Sequence, residues 1–384
     1  MKKPTAEQSR HAPHPWLAAA LAAIDRAVGD SMDEKNLVHA AMARGLLHGY
    51  HAKWCDAEVD EILAVEQEFT CGIYNLASKR VSKSRTFQLA GKTDLLVRRN
   101  GKVCVWDHKT TSEKIAEDDA VYWRHLIVEN QATLYLLAQH YQNVAAAGVM
   151  WDAIHKPAIR PKSLPKAEQK AITSLGTYCG FGVSENTKNH VLATGREDAE
   201  LFEYRVARAC LDDPERYFKR KPTLRLREEL AAYAEELWQL TQEVAACRRG
   251  VAKTDHLPIR NSGACLMHGR PCEYLGICSN MDSPDSDKWR SRESVHEELA
   301  TLDSDGRNVL TFSRLRCFQT CQRKHHYRYE LGIERQDRIT PDALYFGSMF
   351  HEGLNAWWTI QQKEETHANS KHSEIPAAEG AIPF

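Results

Sequence analysis

Asn100-Gly101 constrains this chain more than any other pair of residues. It sits inside "GKTDLLVRRNGKVCVWDHKTT", residues 91–111, between two stretches that alternate apolar and polar side chains. A two-residue type I′ turn needs positive φ at both central positions, and Asn-Gly is the sequence that supplies it most readily. With that turn Arg99 pairs with Lys102, and counting outward sets Asp94 opposite Asp107. Directly opposed Cβ atoms lie about 4.5–5.5 Å apart, where like charges destabilise a sheet unless something offsets them. A divalent cation is the usual counter-charge. Lys109 shares the face of Asp107 because side chains alternate along a strand. The hairpin therefore predicts two carboxylates and an ammonium converging on one small volume. The plainer account of the same residues is a solvated strand end, and other segments have to decide between them.

At 384 residues the chain can bury a sizeable core and is expected to form two domains or one domain with appendages. Its formal net charge of −1 gives no global attraction to nucleic acid or membrane, so any polyanion site must be local. Basic clusters occur in "HKPAIRPKSLPK", "RYFKRKPTLRLR" and "CQRKHHYRYE", and each serves equally well as a solvated face. Two lysines near the amino terminus are not followed by an apolar h-region, and no window is long and apolar enough to span a bilayer. These features predict a cytoplasmic protein, with no membrane partner. Its eleven cysteines are then expected as free thiols, catalytic groups or metal ligands rather than disulfides.

Apolar spacing predicts a helical segment over 1–60. Strands, the hairpin, one helix over "YWRHLIVENQATLYLLAQHY" and a further strand over "AAGVMWDAI" follow within 61–195. That order predicts an α/β core with a mixed β-sheet flanked by helices. Residues 196–280 read as a helical region ending in a cysteine-bearing segment, 281–308 as a polar linker, 309–358 as a helical segment that completes the core, and 359–384 as a disordered tail. No internal repeat is visible.

Gln131 and Tyr135 stand four apart on the predicted helix and so face the same way; alone they describe an ordinary surface pair. Cys265, Cys272 and Cys278 lie in an irregular Gly- and Pro-containing segment, where thiolate ligation explains them better than core packing. A closed soft-metal site generally needs four such ligands, and Cys317 and Cys321 are the candidates for the fourth. His351, in "FGSMFHEGLNAWW", is either a satisfied core histidine or a ligand brought to the aspartates by the fold.

Together these residues resemble the PD-(D/E)XK nuclease superfamily, and within it the RecB-like exonucleases with an iron–sulfur cluster, of the AddB and CRISPR-associated exonuclease type. The resemblance covers most of residues 40–358. "GKTD" is similar to the glycine-to-aspartate motif, "DHK" to the (D/E)XK motif, "QATLY" to QxxxY, and "FGSMFHEGL" to the helix carrying a metal-site histidine. "TCQRKHHYRY" resembles the Cys-Pro-Arg-Lys segment, with Gln322 in place of the proline.

The resemblance implies a restriction-endonuclease-like core in which Asp94, Asp107, His351 and the backbone carbonyl of His108 hold Mg²⁺ or Mn²⁺. Lys109 is then the catalytic lysine, and Gln131 and Tyr135 align the substrate strand or Lys109. It further implies a 4Fe–4S cluster on Cys265, Cys272, Cys278 and Cys321, for which Zn²⁺ is the chemical alternative. The expected activity is metal-dependent exonucleolytic hydrolysis of DNA in phage or bacterial recombination and repair. A helicase or recombination protein is the expected partner; the chain has no GxxxxGK[ST] loop, so an unwinding motor would be a separate chain. The competing expectation is a non-catalytic nucleic-acid-binding module on the same fold, and an RNA-directed or endonucleolytic enzyme is a third.

One departure from the resemblance is large: the Cys-x-Arg-Lys and histidine segments come last rather than before the hairpin. The motif order is that of a circular permutation. A cluster holding both Cys278 and Cys321 makes this tolerable, because the joined ends are already neighbours and loop-closure cost grows slowly with length. Exchange of the carboxy-terminal segment between chains, or a cut in a longer reading frame, would give the same order.

Overall fold

Asn100 and Gly101 adopt φ of 49° and 71°, so the reversal that Asn-Gly favours is the one the chain makes. The computed structural model describes residues 14–29, 33–56, 59–82, 86–292, 308–337 and 342–368. Helices α1 (Pro15–Val28) and α2 (Glu34–Trp54) come first, the second capped by the Asp33 carboxylate accepting from Lys35 N–H at 3.0 Å. Strand β1 (Glu61–Cys71) leads through a ribbon, β2 (Ile73–Asn75) and β3 (Arg80–Ser82), to the hairpin β4 (Phe87–Arg99) and β5 (Lys102–Thr111). After α3 (Val121–Val128), α4 (Asn130–Tyr141) and β6 (Ala146–His155), a small outlying unit is built from α5 (Lys166–Leu175), β7 (Thr177–Tyr178), β8 (Phe181–Gly182) and α6 (Glu185–Thr194). The chain returns through α7 (Ala199–Asp212), α8 (Pro214–Tyr217), β9 (Phe218–Thr223) and the long α9 (Arg227–Thr254). Then come α10 (Leu275–Cys278), β10 (Trp289–Ser291), β11 (Asn308–Leu310), α11 (Phe312–Thr320) and α12 (Gln322–His325), continued by a π-helical turn over His326–Glu330. Strand β12 (Ile333–Arg335) and helix α13 (Asp342–Ala368) close the description.

Six strands form one mixed sheet in the order β1-β4-β5-β6-β9, with β11 added parallel to the start of β4. The β4–β5 register is the one the turn dictates, Arg99 on Lys102 through Leu95 on Trp106, and Asp94 and Asp107 are the next residues outward. Leu89 pairs with Cys71 of β1 on one side and Leu310 of β11 on the other. Strands β5 and β11 therefore share one edge of β4 and part from each other between Ala90 and Asp94, which opens the sheet there. Gly91 makes this stretch possible, since a Cβ on it would stand 2.5 Å from Cζ of Phe69.

Apolar layers pack both faces. Leu96, Val105, Trp151 and Leu134 meet Leu237 of α9 on one side, and Leu46, Tyr50, Trp106 and Phe218 meet Phe350 and Trp357 of α13 on the other.

The structure departs from the sequence reading in four places. The single helix expected over 122–141 is two, broken at Glu129, whose φ of −71° and ψ of 121° are extended. Arg225 makes the break tolerable by donating Nη2 to the carbonyls of Ile127 (2.6 Å) and Glu129 (3.3 Å). Within the helical region, "FKRKPT" is the edge strand β9, because its alternate residues Phe218 and Arg220 find a buried face.

The expected linker is not free up to Arg292. Trp289 stacks on Tyr274 with ring centroids 5.3 Å apart, and β10 pairs with β12. The rest of that linker, 293–307, lies outside the described residues. The expected disordered tail is helical as far as Ala368. Its polar side chains have partners there: Glu365 accepts from Ile62 N–H at 3.0 Å, and Gln362 donates to the carbonyls of Ile62 and Leu63. Residues 369–384 lie outside the described residues.

Candidate active site

The two hairpin carboxylates meet at the opening in the sheet, on the face toward α4. Asp94 Oδ2 accepts the main-chain N–H of His108 at 2.7 Å. Lys109 Nζ lies 2.5 Å from Asp107 Oδ2 as an ion contact and donates to Gln131 Oε1 at 3.0 Å. Gln131 Nε2 reaches Asp107 Oδ1 at 3.4 Å and the Tyr135 hydroxyl at 2.7 Å. The break at Glu129 is what aims α4 so that its first turns address the hairpin. One amide thus bridges carboxylate, ammonium and phenol.

Asp107 is 2 % exposed. Burial, then the adjacent Asp107, push the Asp94 carboxyl up to about 7, against the opposing pull of His108 and Lys109. Even with the Lys109 ammonium beside Asp107, the Asp94 carboxylate is short of positive charge. Burial likewise pushes the Tyr135 phenol well up, which keeps it a neutral hydrogen-bonding group.

Helix α13 brings His351 to the same place, with Nδ1 3.8 Å from Asp94 Oδ2. Its imidazole is held below its ordinary pKa by desolvation, offset in part by Asp107 and by a hydrogen bond to the His108 main chain. A neutral imidazole beside two carboxylates and a main-chain carbonyl is a donor set for a divalent cation. All seven groups expected at this site, Asp94, Asp107, the His108 main chain, Lys109, Gln131, Tyr135 and His351, line one cleft of about 780 Å³.

The opposite face holds what the motifs did not announce. His108, Asp152 and Arg220 are in register across β5, β6 and β9. Asp152 takes His108 Nδ1 at 3.0 Å, Arg220 Nε at 3.1 Å and the Tyr50 hydroxyl at 2.6 Å. The Arg220 guanidinium lies between the rings of Trp54 (3.9 Å) and Trp106 (4.4 Å). A lone aspartate inside the apolar run "VMWDAI" was the available signal for this ladder.

Cys265, Cys272, Cys278 and Cys321 converge elsewhere, beyond the carboxyl end of α9. Asn261 joins two of them, donating its N–H to Cys321 Sγ at 3.4 Å and accepting from Cys265 Sγ at 3.7 Å. The Cys272 N–H bonds the Cys265 carbonyl at 2.7 Å. Burial pushes the Cys278 thiol up, Arg323 eases it, and Cys272, Cys321 and Cys265 push it further. Cys317 is near as well, its thiol raised to about 11 by burial. Among the described residues no three His, Cys, Asp or Glu side chains stand in closed metal-binding geometry. In kind, both donor sets fit their expected occupants: hard oxygens and one imidazole at the hairpin, four soft sulfurs here.

A six-stranded mixed sheet flanked by helices, opened where two strands carry Asp94, Asp107 and Lys109, is the arrangement of the restriction-endonuclease-like nucleases. The family model of the PD-(D/E)XK nuclease superfamily matches residues 4–279 and 309–380, and the chain belongs to that superfamily. The interval between the two matched stretches falls on the expected linker. No curated protein and no solved structure matches the chain. Among the described residues no helix is long and apolar enough to cross a membrane.

Proposed function

We propose that the chain is a Mg²⁺- or Mn²⁺-dependent exonuclease that hydrolyses DNA. The observation that carries this reading is the Asp94–Asp107 pair in one cleft, Asp107 buried and Asp94 half-buried, with the Asp94 carboxyl pushed up to about 7 and an ammonium held beside Asp107. A protein that only bound nucleic acid would have no use for opposed carboxylates in its cleft. Asp94, Asp107, His351 and the His108 carbonyl would hold the cation, which when bound lowers the pKa of a water and screens the scissile phosphate.

The chain's own groups do the rest. Lys109 orients the attacking water or meets the charge that builds on the phosphate. Gln131 fixes the Lys109 ammonium through its Oε1, and Tyr135 fixes Gln131 in turn. His108, tied to Asp152 behind the sheet, holds the Asp94 carboxylate through its main-chain N–H.

The cysteines are read as ligands of a 4Fe–4S cluster that staples the segment after α9 to α11 and α12. The permuted motif order is supported by the packing of the first and last helices. Trp16 near the start of α1 donates to Glu364 near the end of α13 at 2.7 Å, while the middle of α1, at Ala20 and Ile24, meets Gly353. The two helices run antiparallel, so the first turn of α1 lies beside the last turns of α13, as the permuted order requires. Recombination or repair is the setting the resemblance supports.

End-labelled linear and closed circular DNA, incubated with Mg²⁺, Mn²⁺ or EDTA, test the activity. Digestion of the linear form that needs a divalent ion and is lost in Asp107→Ala and Lys109→Ala is expected. Full activity in both variants would overturn the reading, and cutting of the circle would make the enzyme an endonuclease.

A further inference from the structure

The cleft does not end at the carboxylates. It continues to a wall made by Arg292 and the π-helical turn, where the ring of Tyr329 is surrounded by guanidinium groups. Arg292 lies 5.0 Å from its centroid, Arg314 5.4 Å and Arg328 5.8 Å. Two of these cations are already matched. Arg314 pairs with Glu330 at 3.0 Å and donates to the Val309 carbonyl at 2.9 Å, and Arg328 pairs with Glu273 at 3.0 Å. Glu330 is shared with Arg248 at 2.6 Å, so four guanidinium groups face two carboxylates.

Arg292 is the cation left over. Among the described residues no carboxylate pairs with it, and its Nε is buried without a hydrogen-bond partner. Arg292 lines the cleft, and a phosphate oxygen there would be met by its guanidinium, because the planar fork of arginine matches phosphate in shape and charge.

We propose that Arg292, held in place over Tyr329, is a second phosphate-binding subsite for the strand being cut, acting on a phosphodiester away from the reaction centre. This rests on the nuclease reading and adds to it: the substrate is a strand long enough to occupy both ends of the cleft, and its grip is separate from its hydrolysis. Arg292 binds and positions; it has no part in bond breaking.

The test compares the wild type with Arg292→Ala and Arg292→Lys on labelled oligothymidylates and on bis(p-nitrophenyl) phosphate, a diester too small to span the cleft. Binding in EDTA is followed in parallel across a salt series. The alanine variant should raise KM for the oligonucleotide about tenfold with kcat within about twofold, and leave the small diester unchanged. Its binding should lose about 0.7 from the slope of log K against log salt, the loss of one single-strand phosphate contact. The lysine variant should recover the slope and only part of the affinity, since it keeps the charge without the fork.

Unchanged KM and slope in the alanine variant would overturn the subsite, as would an equal loss on the small diester. Weakened inhibition by thymidine monophosphate, with strand binding intact, would also overturn it by assigning the phosphate to a released nucleotide. Because binding is read in EDTA, the subsite is judged separately from activity. A wild type that binds strands through Arg292 but digests nothing would sink the nuclease reading alone.

Discussion

Nδ1 of His108 lies 3.0 Å from Oδ2 of Asp152, and Arg220 Nε holds the other oxygen of the same carboxylate at 3.1 Å. The residue between Asp107 and Lys109 is thereby anchored through the sheet by a buried ion pair. Burial pushes Asp152 up, yet Arg220, His108 and Tyr50 more than offset it and hold the group below the usual carboxylate range. Its contribution to stability is therefore present above the ordinary value of 3.8 and lost as pH falls below it. Asp152→Asn keeps the shape but leaves Arg220 buried without a counter-charge, so chemical denaturation at pH 7 should show a loss of about 3–5 kcal/mol. A loss under about 1 kcal/mol would mean that the ladder is not an ion pair in solution.

Gln131 holds the Lys109 ammonium at 3.0 Å. Gln131→Leu preserves the volume and frees the lysine, and misplacing a reacting group costs up to about 100-fold. Steady-state kinetics on linear DNA should show kcat down about 10- to 100-fold with KM little changed. A rise in KM at constant kcat would instead make Gln131 a substrate contact.

The raised Asp94 carboxyl gives a pH signature. Its folded pKa, about 7, exceeds its ordinary 3.8, so its favourable contribution is complete below about 4 and is lost as pH rises through 7. In EDTA the protein should lose stability between those values at up to about 1.4 kcal/mol per pH unit from this one group. Denaturant titrations of the wild type and Asp94→Asn should diverge over that window, with the asparagine variant the more stable at pH 8. Added Mg²⁺ should remove most of the difference. Parallel pH profiles in EDTA would show that Asp94 ionises freely.

Cys278 and Cys321 come from segments far apart in the chain and meet only in the fold. Anaerobically purified protein should carry iron and sulfide and a visible absorption band, and Cys278→Ser should lose the band and lower the melting temperature. Zinc at one equivalent, with no colour, would replace the cluster by a zinc site on the same thiols.

Gly91 admits the Phe69 ring where the sheet opens. Gly91→Ala should cost about 1–3 kcal/mol through overpacking, and Phe69→Leu in the same chain should return part of it. Additive losses in the double variant would place the cost in the backbone rather than in this contact.

Local rules made the hairpin legible in advance. The turn depends on φ at Asn100 and Gly101, and the alternation of side chains depends only on strand geometry, so the register and the shared face of Asp94, Asp107 and Lys109 followed from the sequence. The pair of Gln131 and Tyr135 on one helix face was legible for the same reason. The break at Glu129, the strand at Phe218–Thr223 and the helix running on to Ala368 were not, because each is stabilised by distant partners: Arg225 for the first, β6 for the second, the start of β1 for the third. Asp152 and Arg220 are adjacent only across strands 68 residues apart, and an isolated aspartate in an apolar run does not name its partner. His351 was recognisable by motif, but only the packing of α13 against α1 and α2 turns it toward Asp94. Residue chemistry and short-range geometry fixed which groups the site contains; long-range packing decided that they meet, and that the cleft they share reaches Arg292.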